Sequence, residues 1–206
     1  MRMSREEAAK SRVAIVEAAA RKFREHGYDG IGIAGLMEAA GRTHGGFYKQ
    51  FDDKEMLIAE ATTEALAGNR AQWRAVLANA SGDPVAALRA WYLSPAHVER
   101  PADGCAYAAL AAEAPRHGEA VRDAFERGLA ESIAMLADVS GDREAAIRSI
   151  AQMIGTLILA RAVATPEFSA EILQSGTSGG LREDRAPDRS GAPIGKADIG
   201  SGYRSA

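Results

Sequence analysis

The chain has 206 residues, of which 47% are hydrophobic and only 6% aromatic, with a formal charge of −3 and a pI near 5.9. This length suffices for one large domain or two small ones with a proper core. The acidic balance excludes a broadly basic, nucleic-acid-coating surface, and a single cysteine, Cys105, excludes an intrachain disulfide and leaves no basis for a cysteine zinc site.

One local basic face remains: Arg2, Arg5, Lys10, Arg12, Arg21, Lys22 and Arg24, against the acids Glu6, Glu7 and Glu17. Such a face is compatible with DNA contact or with plain solvation, and Arg2 and Arg5 are open to both readings. Val and Ile alternate with polar residues nowhere over a strand length, so the expected class is all-α. The N-terminus has no apolar signal core. The most apolar run, Ile150 to Ala160, is interrupted by Gln152 and flanked by Arg148 and Arg161. It falls short of the roughly 20 apolar residues that span a bilayer, so a cytoplasmic chain with no membrane partner is expected.

In chain order, a first helix is predicted from Arg5 to His26, with Val13, Val16, Ala20 and Phe23 as its apolar stripe, widened by Ile15 and Ala19. Gly27-Tyr28-Asp29-Gly30 reads as a turn. A short helix follows from Ile33 to Ala40, with Gly32 at the position where a capping hydroxyl is expected. Gly41 stops it, since a residue without Cβ adopts the left-handed conformation cheaply. Thr43 is placed to cap the next helix, His44 to Phe51, through its hydroxyl. Phe47 and Phe51 at i, i+4 face inward, leaving His44, Gly45, Tyr48, Lys49 and Gln50 outward. Two short helices around a glycine turn, the second exposing polar, basic and aromatic groups, form the helix-turn-helix pattern.

Asp52-Asp53 then caps a long helix to about Asn79, carrying Leu57, Ala61, Leu66, Trp73 and Leu77. Pro84 opens another, which ends before Pro95, and residues 94–104 read as a loop. Helices are predicted for Cys105 to Ala114, Gly118 to Val139 and Arg143 to Ala164, the last capped by Asp142, with a short one from Pro166 to Leu173. From Ser175 to Ala206 the composition shifts to Gly, Ser, Pro, Asp and Arg, and a disordered tail is expected. The expected division is residues 1–51, residues 52–174 and the tail.

Residues 11–58 resemble the DNA-binding domain of the TetR/AcrR family of transcriptional repressors. The matching residues are Ile15 to Phe23, Gly27-Tyr28, Ala40-Gly41, the run Thr43-His44-Gly45-Gly46-Phe47-Tyr48-Lys49-Gln50-Phe51, and Lys54-Glu55-Met56-Leu57. The resemblance implies a DNA-binding domain over 1–51 and a helical ligand-binding and dimerisation domain over 52–174, in a homodimer that is released from palindromic operator DNA when a small-molecule effector enters the C-terminal domain. It places DNA contacts at Thr43, His44, Gly45, Tyr48, Lys49, Gln50 and Lys54. Hydroxyls and ammonium groups suit phosphates, and His44 suits a base edge or phosphate.

Candidate effector-lining residues are Trp73, Trp91, Tyr92, His97, Cys105, Tyr107 and Met153, with Phe125 in the same domain; aromatic walls with few polar groups suit an apolar or aromatic effector. The same residues also fit an ordinary core. Cys105 follows Gly104 at a helix start, where the helix dipole can lower a thiol pKa; it reads either as a redox or electrophile sensor or as a buried small residue. The helix from Arg143 is apolar nearly all round and needs cover on every side. With the stripe Phe125, Leu129, Ile133 and Leu136, its residues Ile147, Ala151, Ile154, Gly155 and Ile158 are expected to form an isologous dimer interface, or else the helix is a central core helix. No nucleophile–base pair, paired carboxylates, cofactor motif or His cluster points to an enzyme or a metal site.

Overall fold

The computed structural model describes residues 5–178; Arg2 and most of the predicted tail lie outside them. Eleven helical segments and no strand occur among the described residues: α1 (Arg5–His26), α2 (Ile33–Ala39), a 3-10 helix (His44–Lys49), α3 (Lys54–Ala78), α4 (Pro84–Tyr92), α5 (Pro95–Glu99), α6 (Ala106–Leu110), a 3-10 turn (Ala114–Arg116), α7 (Glu119–Ser140), α8 (Arg143–Ala162) and α9 (Pro166–Thr177). The protein is all-helical, with an N-terminal helix-turn-helix and a C-terminal helical domain.

Local chemistry explains most boundaries. Asp53 accepts the Met56 N–H at 2.8 Å and starts α3. Asp142 does the same for the Glu144 N–H at the head of α8. Asp83 caps α4, with Pro84 in its first turn. Gly141, at φ +75°, ends α7.

Several elements differ from the sequence reading. Val13 is 56% exposed, and the inward line of α1 runs instead through Ile15, Ala19 and Phe23. The predicted 94–104 loop contains α5. The predicted helix from Cys105 is cut at Leu110, and Pro115 sits in the 3-10 turn that follows. The last helix runs to Thr177 rather than Leu173, so the boundary at Ser175 falls inside it. Gly176 explains this: it is buried, and a Cβ there would lie 2.6 Å from Thr156 Cγ2 and 2.8 Å from Leu93 Cδ1. The absent side chain lets α9 close onto α8.

α3 is the spine, packing on α1 at its N-terminal half and on α7 along its length. The α3–α7 approach is close because of Gly128, where a Cβ would sit 2.5 Å from Leu66 Cδ1. One core runs through both halves, from Phe23, Tyr28, Phe47 and Phe51 to Trp73, Tyr92, Tyr107, Met153 and Leu157. By length and hydropathy α8 could cross a bilayer, but Ala146, Ile150, Met153, Leu157 and Ala160 seat one face of it in this core.

Candidate nucleic-acid interface

The turn between α2 and the 3-10 helix is a Schellman motif. The Gly41 N–H donates to Glu38 C=O at 2.9 Å and the Arg42 N–H to Met37 C=O at 2.8 Å, with Gly41 at φ +64°. Gly32 precedes α2 with no side-chain cap, as its lack of an acceptor requires.

The second helix is a 3-10 helix of six residues, not an α-helix to Phe51. Thr43 occupies its N-cap with extended geometry, but its hydroxyl makes no capping bond; the expected side-chain cap is absent. The Thr43 carbonyl accepts the Gly46 N–H instead, at 2.9 Å, in the tighter i+3 pattern of a 3-10 helix. The hydroxyl is therefore uncommitted.

Phe47 and Phe51 stack at 5.4 Å and are buried, fixing which face turns out. Thr43, His44, Gly45, Tyr48 and Lys49 are exposed. Tyr48 is 62% exposed, and its ring meets His44 edge-on at 6.0 Å. Gly45 has open space where a Cβ would stand, so its backbone is approachable. The group offers a hydroxyl, an imidazole, a phenol and an ammonium on one convex edge.

Two expected members turn inward. The Gln50 amide donates to the Ala8 carbonyl at 3.4 Å, and the Lys54 ammonium donates to the Tyr28 carbonyl at 2.6 Å. The basic face of α1 is largely committed as well: Lys10 pairs with Glu6, Arg12 with Glu60, Arg21 with Asp103 and Lys22 with Glu25, and Arg24 donates to the Ala102 carbonyl.

Arg12 is the clamp that sequence reasoning missed, because its partners are far along the chain. Its guanidinium donates to the Gln50 carbonyl and Glu60, approaches Met56 Sδ at 3.6 Å and lies over the Phe51 ring. Tyr28 is a second missed centre. It is fully buried; its N–H donates to Glu113, its hydroxyl bonds Thr62 at 2.7 Å, and its carbonyl accepts from Lys54. Burial pushes its phenol up to about 12. The His117 ring packs edge-on against it at 4.8 Å and donates to Glu55 at 2.7 Å, joining the C-terminal half to the start of α3.

In the C-terminal half the candidate effector residues do meet. Trp73 contacts Tyr92 at 5.8 Å and Tyr107 at 6.0 Å, and Tyr92 contacts His97 at 4.7 Å. Trp73, Tyr92, Cys105, Tyr107 and Met153 are buried, whereas Trp91 is exposed and His97 half-buried. The Tyr107 hydroxyl bonds Gly128 C=O and Ser132 at 2.8 and 2.7 Å. Cys105 departs from the expected lowering: burial pushes its thiol pKa up and outweighs its neighbours.

The expected interface stripe on α7 is divided by burial. Leu136 is fully buried and Ile133 nearly so in the chain's own core, and Phe125 packs edge-on against Tyr107 at 5.6 Å. Phe125 and Leu129 are half-buried. On α8, by contrast, Ile147, Ala151 and Ile158 are exposed and Ile154 and Gly155 half-buried, on the side away from the core.

A helix-turn-helix on an all-helical body defines the class. Residues 15–61 match the family model for bacterial regulatory proteins, tetR family. The repressor AcnR of Corynebacterium efficiens is 43% identical over 54 residues, which is 26% of this chain and 29% of that protein. The chain thus spans under a third of the length of the curated relatives it matches. E. coli NemR in its reduced form shares the fold, with a TM-score of 0.68 at 20% identity over 82% of this chain and 93% of that one. AibR, solved with isovaleryl coenzyme A and operator DNA, has a TM-score of 0.58 at 14% identity over 81% and 96%.

Proposed function

We propose that the protein is a TetR-type, DNA-binding transcriptional repressor, homodimeric and released from its operator by a small-molecule effector. The observation that carries this reading is the exposed edge Thr43, His44, Gly45, Tyr48 and Lys49, held outward by the buried Phe47–Phe51 stack. Among the described residues Lys49 has no ion-pair partner and the Thr43 hydroxyl makes no cap, so both are free for phosphate. His44 and Tyr48 offer an exposed imidazole and phenol that suit a base edge or sugar. Residues 1–51 are read as the DNA-binding part and 52 onward as the effector and dimer part.

The exposed α8 face supports a symmetric dimer in which α8 packs on its partner copy, since a row of Ile147, Ala151, Ile154 and Ile158 is costly to leave wet. Two recognition helices must then sit about 34–36 Å apart to meet successive major grooves. An effector that favours another spacing weakens DNA binding by its differential affinity. AibR, solved with isovaleryl coenzyme A and operator DNA, supports this reading by its similar fold. A cytoplasmic location follows from this role.

Gel-shift selection of binding sites from random duplex DNA, followed by the double variant His44→Ala/Lys49→Ala, tests the reading. The wild type is expected to select a palindrome and the variant to lose it. Undiminished binding by the variant sinks the assignment.

A further inference from the structure

A pocket of about 250 Å³ opens beside α4 and α5. Trp91 and His97 form its aromatic wall, with ring centroids 5.5 Å apart and planes at 36°. Gln72, Ser94, Arg100 and Asp103 form its polar rim. Trp91 is 37% exposed, while Trp73, the other tryptophan, is buried. The Asp103 carboxylate is paired with Arg21 at 3.0 Å, and the Arg100 guanidinium has no partner among the described residues. The pocket therefore presents an aromatic face and one uncommitted positive charge.

Behind its wall the core is poorly satisfied. Trp73 Nε1 and His97 Nε2 are buried without hydrogen-bond partners, and the Tyr92 hydroxyl faces the Cys105 thiol without a well-formed bond. His97 Nδ1 is held by the Tyr92 carbonyl at 2.8 Å. Of these groups only His97 lines the pocket; Trp73 and Tyr92 are fully buried in the core behind it.

The rim is also wired to the N-terminal half. Arg24 of α1 donates to the Ala102 carbonyl at 2.6 Å, beside the Arg21–Asp103 pair. From the other side, Arg161 of α8 donates to the His97 carbonyl at 2.6 Å and to that of Val98 at 3.3 Å. Gly104 leaves this segment no slack: a Cβ there would lie 2.7 Å from the Arg100 carbonyl and 2.9 Å from the Arg161 guanidinium. Residues 97–104 thus form a hydrogen-bonded strut between α8 and α1.

We propose that this pocket binds a small aromatic carboxylate, with its ring on Trp91 and His97 and its carboxylate on Arg100, and that occupancy is passed to α1 through residues 100–104. The proposal rests on the reading of the chain as an effector-responsive DNA binder. Guanidinium–carboxylate pairing supplies the charge selectivity, and the tryptophan face the aromatic preference.

The probes are benzoate and its uncharged isostere benzamide, titrated into the full chain while tryptophan fluorescence and operator binding are followed. Benzoate is expected to give a saturable signal that Trp91→Phe abolishes, and to release operator. Arg100→Ala is expected to weaken benzoate binding about tenfold and leave benzamide unchanged. Arg24→Met and the milder Arg24→Gln are expected to keep the benzoate signal and operator binding but lose release; thermal melting checks that each variant is folded. Operator binding with no benzoate signal overturns the site while leaving the DNA reading intact. A benzoate signal with no operator bound under any condition overturns the DNA reading and leaves the site standing. Release that survives both arginine variants overturns the strut.

Discussion

The guanidinium of Arg12 lies over the ring of Phe51, 4.2 Å from its centroid. Because Arg12 also holds the Gln50 carbonyl and Glu60, one side chain ties the end of the 3-10 helix to α1 and α3 at once. Arg12→Ala is expected to cost about 1–2 kcal/mol of stability and about tenfold in operator affinity through misplacement. The decisive measurement is the salt dependence. A phosphate contact would reduce the slope of log K against log salt by about one. An unchanged slope is expected here, since the guanidinium is committed within the chain.

Thr43→Ala separates capping from contact. Loss of a side-chain N-cap usually costs about 1 kcal/mol. Because Thr43 makes no such bond, urea unfolding is expected to change by less than about 0.5 kcal/mol. Operator affinity is expected to fall all the same. A full capping loss with normal DNA affinity would contradict both halves of this account.

The two faces around α7 and α8 predict opposite phenotypes. Leu136→Ala empties a site with no exposure and is expected to destabilise the fold by about 2–5 kcal/mol. Ile158→Glu, at a position 41% exposed, is expected to leave the monomer folded and abolish the dimer. Sedimentation equilibrium with thermal melting distinguishes the two outcomes.

Glu55 predicts an acid-sensitive junction. Burial pushes its carboxyl up, but hydrogen bonds from His117 and the Gly118 N–H outweigh that and hold it below its ordinary 4.5. A carboxyl lowered on folding contributes stability that is fully present above its unfolded pKa and is lost as pH falls through the folded one. The contribution is therefore expected intact at pH 6 and to fade below about 4.5. Glu55→Gln is expected to flatten that part of the stability–pH curve; a superimposable curve would falsify the link.

Cys105 is fully buried, and its thiol is pushed up by that burial. Reaction with a disulfide reagent at neutral pH is expected to run at least about tenfold slower in the folded chain than in urea. Cys105→Ser is expected to leave any response to electrophiles unchanged. Rapid native labelling would revive the sensor reading.

The sequence alone determined the helix class, the glycine turn at Gly41, the caps at Asp53 and Asp142, and the Phe47/Phe51 anchor, because each depends on neighbours within one or two turns. It also marked Thr43, His44, Gly45, Tyr48 and Lys49, which need only point away from that anchor. The tertiary structure decided what depends on distant partners. It turned Gln50 to Ala8 and Lys54 to Tyr28, committed most of the basic face of α1 to internal pairs, and made Arg12 a clamp. It assigned Ile133 and Leu136 to the core and the Ile147–Ile158 line to the outside. Helical periodicity shows that a helix has an apolar face; which apolar face is covered is settled only by the helix lying against it, here α3 and its close approach at Gly128.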